Sequence, residues 1–382
     1  MSAPAMDIAI IGTRGLPATW GGVERHVEEI GARLVERGHH VTVFTRPGYS
    51  DHVGDHYRGM RLREVRSVPG RGVEALVHSM NAVARTVGRG YDVVHFHAVG
   101  PALVSPLARA FTRAGIVQTV HGLDGERDKW GSGERLFLRA GTWVSARVPH
   151  RTIVVSRDLQ RHYRDTYGRR TDYIPNGVTP VVGTGALSVE AAFGVQPGRY
   201  LLYVGRLVPE KASDVLVRAF GMVPGDLRLV IAGGSSDTND YVAEVTRLAA
   251  RDPRIVMAGF VYGDDLVSLY QNALGFVLPS LLEGLPITLL EAASHRLPLV
   301  VSSIPPHLEV VGQERPGVRL AEPGSTSSLA DAIARSVQDH ASEALGAKAI
   351  AEDIMKNYDW DAVTEATESV YQAAADRARR RA

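Results

Sequence analysis

The chain contains no cysteine in its 382 residues. That excludes disulfides, thiolate metal sites and a thiol nucleophile, and it suits a reducing compartment. It also lacks any apolar run of about 18 residues, the length that a membrane-spanning helix needs. Its start, Met1-Ser-Ala-Pro-Ala-Met-Asp7, has neither the basic region nor the apolar core of a signal peptide. A cytoplasmic location is therefore expected. Lysine is scarce, with only Lys129, Lys211, Lys348 and Lys356, so arginine carries most of the positive charge. The net charge of +1 gives no strongly basic character, and no nucleic-acid partner is expected.

What charge there is lies unevenly. Residues 1–180 hold 25 Lys and Arg against 17 Asp and Glu, and the remainder holds 18 against 25. A basic first half could face phosphates or an anionic membrane surface. Arginines scattered over solvated helix faces would give the same count.

The hydrophobic pattern alternates between short apolar runs and longer segments of helical period. Asp7–Ile11, His40–Thr45, Met60–Val65, Val93–His97, Ile116–Val120 and Arg151–Val155 read as strands. Helices are expected near Val23–Arg37, Val73–Val87, Pro101–Phe111, Glu134–Ala146 and Arg157–Tyr167. Tyr173–Val178 and the Gly-, Pro- and Ser-rich stretch to about Ser188 read as a linker. A second series then begins at Tyr200–Val204. It continues through Arg228–Ala232, Ile255–Met257, Gly275–Leu278, Pro298–Ser302 and Gly317–Leu320. Strands alternating with helices imply parallel sheets covered on both faces. The expected fold is therefore α/β with two doubly wound, Rossmann-like domains, at residues 1–178 and 179–358. Residues 359–382 form a last helical segment, with Val363, Ala366, Val370 and Ala373 at helical spacing and a solvated tail from Arg377 to Arg381.

Ligands of such sheets bind beyond the carboxyl ends of the strands, and four stretches fall there. Gly12–Gly22 is a glycine-rich loop between a strand and a helix, a phosphate-binding geometry in which Gly21 and Gly22 would let backbone approach a ligand. A turn needing positive φ would explain the same glycines, and the spacing is not that of a nicotinamide site. Gly205-Arg-Leu-Val-Pro-Glu-Lys211 follows the first strand of the second series. There Arg206 supplies a planar fork and Lys211 a point charge that can flank one pyrophosphate. Val117–Asp124 puts His121 at a strand end, whereas His95 and His97 read as core. Last comes Glu283-Gly-Leu-Pro-Ile-Thr-Leu-Leu-Glu291, with one carboxylate before a helix and one inside it.

The Glu283/Glu291 pair, together with Arg206 and Lys211 about 75 residues upstream, resembles the motif set of retaining, nucleotide-sugar-dependent glycosyltransferases of family 4 (glycosyl transferases group 1). The resemblance spans nearly the whole chain. It implies the GT-B fold, with a central cleft and a final helix crossing back to the first domain. It further implies a first domain on the acceptor side and a second that binds the nucleotide sugar. Ala212 stands where many members have Gly or Asn, which puts the loop geometry in question.

The resemblance assigns catalytic roles to Glu283, Arg206, Lys211 and His121. It assigns donor contacts to Gly21, Gly22, Arg206, Lys211, Val261, Glu283, Gly284, Leu285 and Glu291. The cations Arg206 and Lys211 would take the place of a metal. The one Asp-x-Asp, Asp359-Trp-Asp361, lies in the final helical region and reads as a cap. No metal and no cofactor are expected; the nucleoside-diphosphate sugar is a substrate. The implied reaction moves a hexose-type sugar, with retention, to a hydroxyl of a sugar, a lipid-linked molecule or a small molecule. A sugar-nucleotide epimerase and a silent sugar-nucleotide-binding protein are the rival readings. The helix at Glu134–Val148 carries Leu136, Ala140 and Trp143 in one stripe with Arg135, Arg139 and Arg147 off its centre. It reads either as a core-facing helix or as a peripheral membrane contact.

Overall fold

The computed structural model describes all residues except 1–3, 19–20, 50–51, 69, 71–72, 123–131, 180–187, 235–238 and 381–382. The chain forms two compact units, one of residues 1–177 with 360–382, the other of residues 178–359.

The first unit is built on one sheet of eight strands. They are β1 (Asp7–Ile11), β2 (His40–Thr45), β3 (His56–Tyr57), β4 (Met60–Glu64), β5 (Val93–His97), β6 (Gly115–Val120), β7 (Arg151–Val154) and β8 (Asp172–Tyr173). Their order is β3-β4-β2-β1-β5-β6-β7-β8, parallel except for the β3 edge. Every residue of β5 and β6 is buried, as expected of strands with helices on both faces. The helices are α1 (Gly22–Glu36), α2 (Val73–Thr86), α3 (Val99–Ala102), α4 (Ser105–Phe111), α5 (Ser132–Arg147) and α6 (Arg157–Tyr167).

Two elements show how sequence sets boundaries here. α6 starts where the Ser156 hydroxyl accepts the Leu159 N–H at 3.3 Å and stops at Gly168 in the left-handed region. By contrast, the expected continuous helix over Pro101–Phe111 is broken into α3 and α4. Pro106 has no N–H to donate and crowds the carbonyl four residues back, so the helix restarts with proline in its first turn.

The second unit has a six-stranded parallel sheet. Its strands are β9 (Tyr200–Val204), β10 (Arg228–Ala232), β11 (Ile255–Gly259), β12 (Gly275–Leu278), β13 (Leu299–Ser302) and β14 (Val318–Ala321), in the order β11-β10-β9-β12-β13-β14. Its helices are α7 (Val189–Phe193), α8 (Ser213–Gly221), α9 (Asn239–Ala249), α10 (Gly263–Asn272), α11 (Ile287–Ser294), α12 (Pro305–Val311), α13 (Thr326–Gln338) and α14 (His340–Asn357). The chain runs outward from β9 to β11, then returns to β12 on the other side of β9. Loops leaving β9 and β12 therefore part in opposite directions and open a crevice between them.

The last helix, α15 (Trp360–Arg379), returns to the first unit. It buries Trp360, Val363, Val370 and Tyr371 against β6 and α1. Burying each of these large side chains is worth roughly 2–3 kcal/mol. Glycine makes the seat possible. A Cβ at Gly115 would stand 2.6 Å from the Ala374 carbonyl carbon, and one at Gly177 would stand 2.6 Å from the Trp360 ring. One sequence expectation changes here. The expected tail is helical as far as Arg379: Arg377 donates to the His150 carbonyl at 3.3 Å, and the exposed Arg379 pairs with Asp92 at 2.8 Å. Asp361 is an ion partner of Arg33 at 2.9 Å.

Candidate functional site

Most of the site candidates fall at the carboxyl edge of the second sheet. Gly205–Lys211 leaves β9, the Gly233-Gly234 loop leaves β10, Phe260–Tyr262 leaves β11 and Pro279–Pro286 leaves β12. The first two loops touch closely. A Cβ at Gly233 would lie 1.9 Å from the Gly205 carbonyl oxygen, so only glycine fits there.

After β9 the chain makes a single 3₁₀ turn, Pro209–Lys211, and enters α8 through Ala212 at φ 51°. This explains why glycine or asparagine would be expected at that position: the left-handed region costs an alanine roughly 1–2 kcal/mol. The turn holds nonetheless, with the Lys211 N–H donating to Val208 at 2.9 Å and the Ala212 N–H to Pro209 at 3.0 Å. The Glu210 carbonyl then accepts the Leu281 N–H at 2.9 Å, tying this turn to the loop after β12.

The consequence is a buried ion pair that spans the crevice, Lys211 Nζ to Glu283 Oε1. The side chains are 15% and 7% exposed. The Ser280 hydroxyl also donates to Glu283 Oε1, at 2.8 Å. Burial pushes the Glu283 carboxyl up. The Lys211 ammonium, His307 and the two hydrogen bonds outweigh it, and the group is held below the usual carboxylate range. His307 is itself kept neutral, lowered to about 4 by burial despite the nearby Glu283 charge. Its Nδ1 meets the Ser302 carbonyl at 2.9 Å and the Ser302 hydroxyl at 3.1 Å. That hydroxyl in turn donates to the Ser280 carbonyl. Sequence reasoning missed Ser280, Ser302 and His307. The only signal for them was position: Ser280 stands just past β12, Ser302 ends β13 and His307 lies in the helix that follows.

Glu291 stands apart from this pair. α11 begins only at Ile287, after Pro286, so Glu283 is a loop residue and Glu291 a helical one. Glu291 Oε2 accepts the Tyr270 hydroxyl at 3.1 Å, and Tyr270 stacks on His295 at 5.1 Å. Gly284 and Leu285 are buried beneath the loop, and Val261 is half-buried between the exposed rings of Phe260 and Tyr262. Arg206 is half-buried, and its carbonyl accepts the Tyr203 hydroxyl at 3.1 Å. Thus Arg206, Lys211, Val261, Glu283, Gly284 and Leu285 all sit on one sheet edge.

The remaining candidates belong to the first unit. Gly21 has an extended backbone at φ 165° and Gly22 opens α1, so neither glycine meets a need for positive φ. The loop before them is occupied by carboxylates. The Arg14 N–H donates to Glu24 at 3.1 Å and the Ala18 N–H to Glu28 at 2.7 Å. An anion taking those two donors would have to displace the buried carboxylates of Glu24 and Glu28.

His121 lies past β6 in a cluster of histidines. Its Nε2 faces His97 Nδ1 at 3.0 Å, and its ring meets that of His26 at 4.9 Å between centroids. His95 is satisfied at both nitrogens, by Tyr371 and Thr119, each at 2.7 Å. Burial keeps all four rings neutral: His26 is lowered to about 4, and His95, His97 and His121 are lowered well below the usual imidazole range. The core reading of His95 and His97 agrees with their complete burial.

The stripe on α5 is not core-facing. Leu136 is 71% exposed and Trp143 is 53% exposed, with Arg147 beside the Trp143 ring. Leu107 and Phe111 of the adjoining α4 are exposed as well. The side chain of Arg135 is outside the described residues.

Two family models match the chain. One, glycosyltransferase family 4, covers residues 20–181, and the other, glycosyl transferases group 1, covers residues 198–339. An uncharacterized glycosyltransferase of Methanocaldococcus jannaschii is 27% identical over 97% of this chain and 98% of its own. A D-inositol 3-phosphate glycosyltransferase of Geodermatophilus obscurus is 30% identical, covering 74% of this chain and 70% of its own. Among solved structures, sucrose-phosphate synthase from Thermosynechococcus elongatus superposes with a TM-score of 0.80 at 23% identity, over 96% of this chain and 98% of its own. Anabaena HepE in complex with UDP-glucose superposes with a TM-score of 0.79 at 20% identity, over 96% and 100%.

Proposed function

We propose, from the premise that this chain belongs to the group 1 glycosyltransferases and has their GT-B fold, that it moves a hexose-type sugar from a nucleoside-diphosphate sugar to an acceptor hydroxyl, with retention and without a metal. One observation carries this reading: the loops leaving β9 and β12, which flank the switch in strand order, place Lys211 against Glu283 in a buried pair. A cation and a carboxylate are thereby held at the sheet edge where ligands of this fold class bind. The donor class is supported by the UDP-glucose in the HepE structure.

In this reading Lys211 and Arg206 meet the diphosphate, whose charge grows as the bond to the sugar breaks. Glu283 accepts hydrogen bonds from hydroxyls of the transferred sugar, and Glu291 from the ribose. Val261, Gly284 and Leu285 offer backbone to the donor. Gly21, Gly22 and His121 are the first unit's donor contacts. The first unit is assigned to the acceptor and the second to the nucleotide sugar. The reaction runs on one face of the sugar, so the donor phosphate helps take the acceptor proton.

The test is transfer to an acceptor in excess EDTA, with an NMR spectrum of the fresh product. Retained anomeric configuration and undiminished turnover are expected. Inversion, or strict dependence on added magnesium or manganese, defeats the reading. Turnover of the donor without any acceptor points instead to an epimerase.

The two glutamates should separate in kinetics. Glu283 touches the part of the donor that gains positive charge, so its contacts strengthen in the transition state; contacts to ribose act about equally in both states. Glu283→Gln should lower kcat, by up to about 10²-fold, whereas Glu291→Gln should mainly raise KM for the donor. Equal losses of kcat in both variants overturn the division of roles.

We assign a lipid-linked acceptor as the best-supported class, with peripheral contact at the membrane. The support is the exposed Leu107, Phe111, Leu136 and Trp143, set among Arg139 and Arg147. Exposed aromatic and aliphatic groups with arginine suit an anionic interface. Flotation at low salt should show the protein on anionic vesicles and not on neutral ones, and Trp143→Ala should weaken it several-fold. No preference for anionic vesicles favours a soluble sugar or small-molecule acceptor.

A further inference from the structure

We propose that the first unit binds a transition-metal ion of the zinc class between His26, His97 and His121. One ring nitrogen from each of these residues lies within 4.8 Å of the others. The ring centroids are 4.9 Å apart for His26 and His121, 5.3 Å for His97 and His121, and 5.6 Å for His26 and His97. A tetrahedral zinc ion with its usual bonds to nitrogen holds imidazole centroids about 3.2 Å from itself, and so about 5 Å from one another. The three rings already have that spacing.

Protonation fits at His26; between His97 and His121 the 3.0 Å contact of Nδ1 with Nε2 holds one proton, which metal binding must displace. His26 Nδ1 is 2.9 Å from Asn176 Oδ1. An amide oxygen only accepts, so Nδ1 carries the proton and Nε2 keeps its lone pair. A ligating histidine typically has one nitrogen hydrogen-bonded to an oxygen and the other presented to the metal. His97 Nε2 is buried without a hydrogen-bond partner, so a satisfied polar network does not account for that ring. His95 next to it is the contrast: both its nitrogens are bonded, and it is left out of the site. Three neutral imidazoles suit zinc, copper and nickel, and do not suit magnesium or calcium. The ion is not assigned a step in transfer. Its binding would draw His121 away from a sugar hydroxyl, a consequence that rests on the role given to His121 above; the site itself does not.

The full chain, stripped of metal, should be titrated with cobalt(II) chloride and followed by visible absorption. One equivalent should give the intense bands of tetrahedral cobalt on nitrogen ligands, and zinc should displace them stoichiometrically. The bands should be lost in His26→Gln and in His121→Ala, with far-UV circular dichroism confirming that both variants are folded. They should persist in His340→Ala, which alters another histidine. No bands in the unaltered protein overturn the proposal whatever the variants do, and so do bands that survive both substitutions. Zinc inhibition of transfer, reversed by EDTA, bears on His121 alone.

Discussion

Lys211→Ala is expected to lower kcat/KM for the donor by about 10²- to 10³-fold, the usual cost of removing one donor aimed at developing negative charge. It should also destabilise the second unit, because Glu283 is then a buried carboxylate without its cation. Breaking one partner of a buried pair costs about 3 kcal/mol or more. The two losses can be separated. In Lys211→Ala combined with Glu283→Gln no lone charge remains, so thermal stability should return most of the way while activity stays low. Arg206→Ala should reduce turnover to a comparable extent. Near-normal activity in both single variants would mean that the diphosphate site lies elsewhere. Recovery of activity along with stability in the double variant would mean that neither Lys211 nor Glu283 acts on the donor.

Acidification from pH 6.5 towards 4 should unfold the protein. The sign follows from the buried histidines. His26 and His78 in the first unit, and His295 and His307 in the second, are lowered to about 4 by burial. His95, His97 and His121 are also lowered well below their ordinary value by burial. Below about 6.5 the unfolded chain binds protons that the folded chain refuses. Each such histidine therefore removes about 1.4 kcal/mol of stability per pH unit across that window. Several together are comparable to a typical total of roughly 5–15 kcal/mol. The depressed Glu283 carboxyl acts in a different window. Its contribution is present above about 4.5, the unfolded value, and is lost only as the pH falls through its lower folded value. Thermal midpoints measured from pH 7 to 5 should drop steeply while the carboxylates remain ionised. A flat profile over that range would show that the rings titrate normally.

Much of the fold was legible because buried parallel strands are continuous apolar runs. Tyr200–Val204, Arg228–Ala232, Gly275–Leu278 and the helix Arg157–Tyr167 occur with the bounds read from sequence. The two-residue strands His56–Tyr57 and Asp172–Tyr173 were not legible, since two residues carry no period. The short helix Val189–Phe193 was missed for a similar reason, although its Ser188 cap and Gly194 stop mark it. At the site, residue types and loop positions were readable from motif spacing. The Lys211–Glu283 contact was not, because it joins residues 72 apart in sequence through the turn at Ala212. The histidine cluster was hidden in the same way: α1, β5 and the end of β6 each contribute to it, and only the sheet order brings them together. The stripe on α5 shows the limit of periodicity. It marks an apolar face and leaves open whether protein or something else covers it.

The return of α15 also bears on synthesis. A ribosome completes residues 1–177 long before it reaches Trp360, so the first unit emerges without the helix that buries Trp360 and Tyr371 on it. At roughly 5–20 residues per second, the intervening segment takes about 10–40 s to make. During that interval β6 and α1 lack their cover, and Gly115 and Gly177 flank an open seat. The second unit is continuous in sequence and has no such wait. Vectorial folding thus runs against chain order here: the later unit can close first, and the earlier one is finished by the last residues to leave the ribosome.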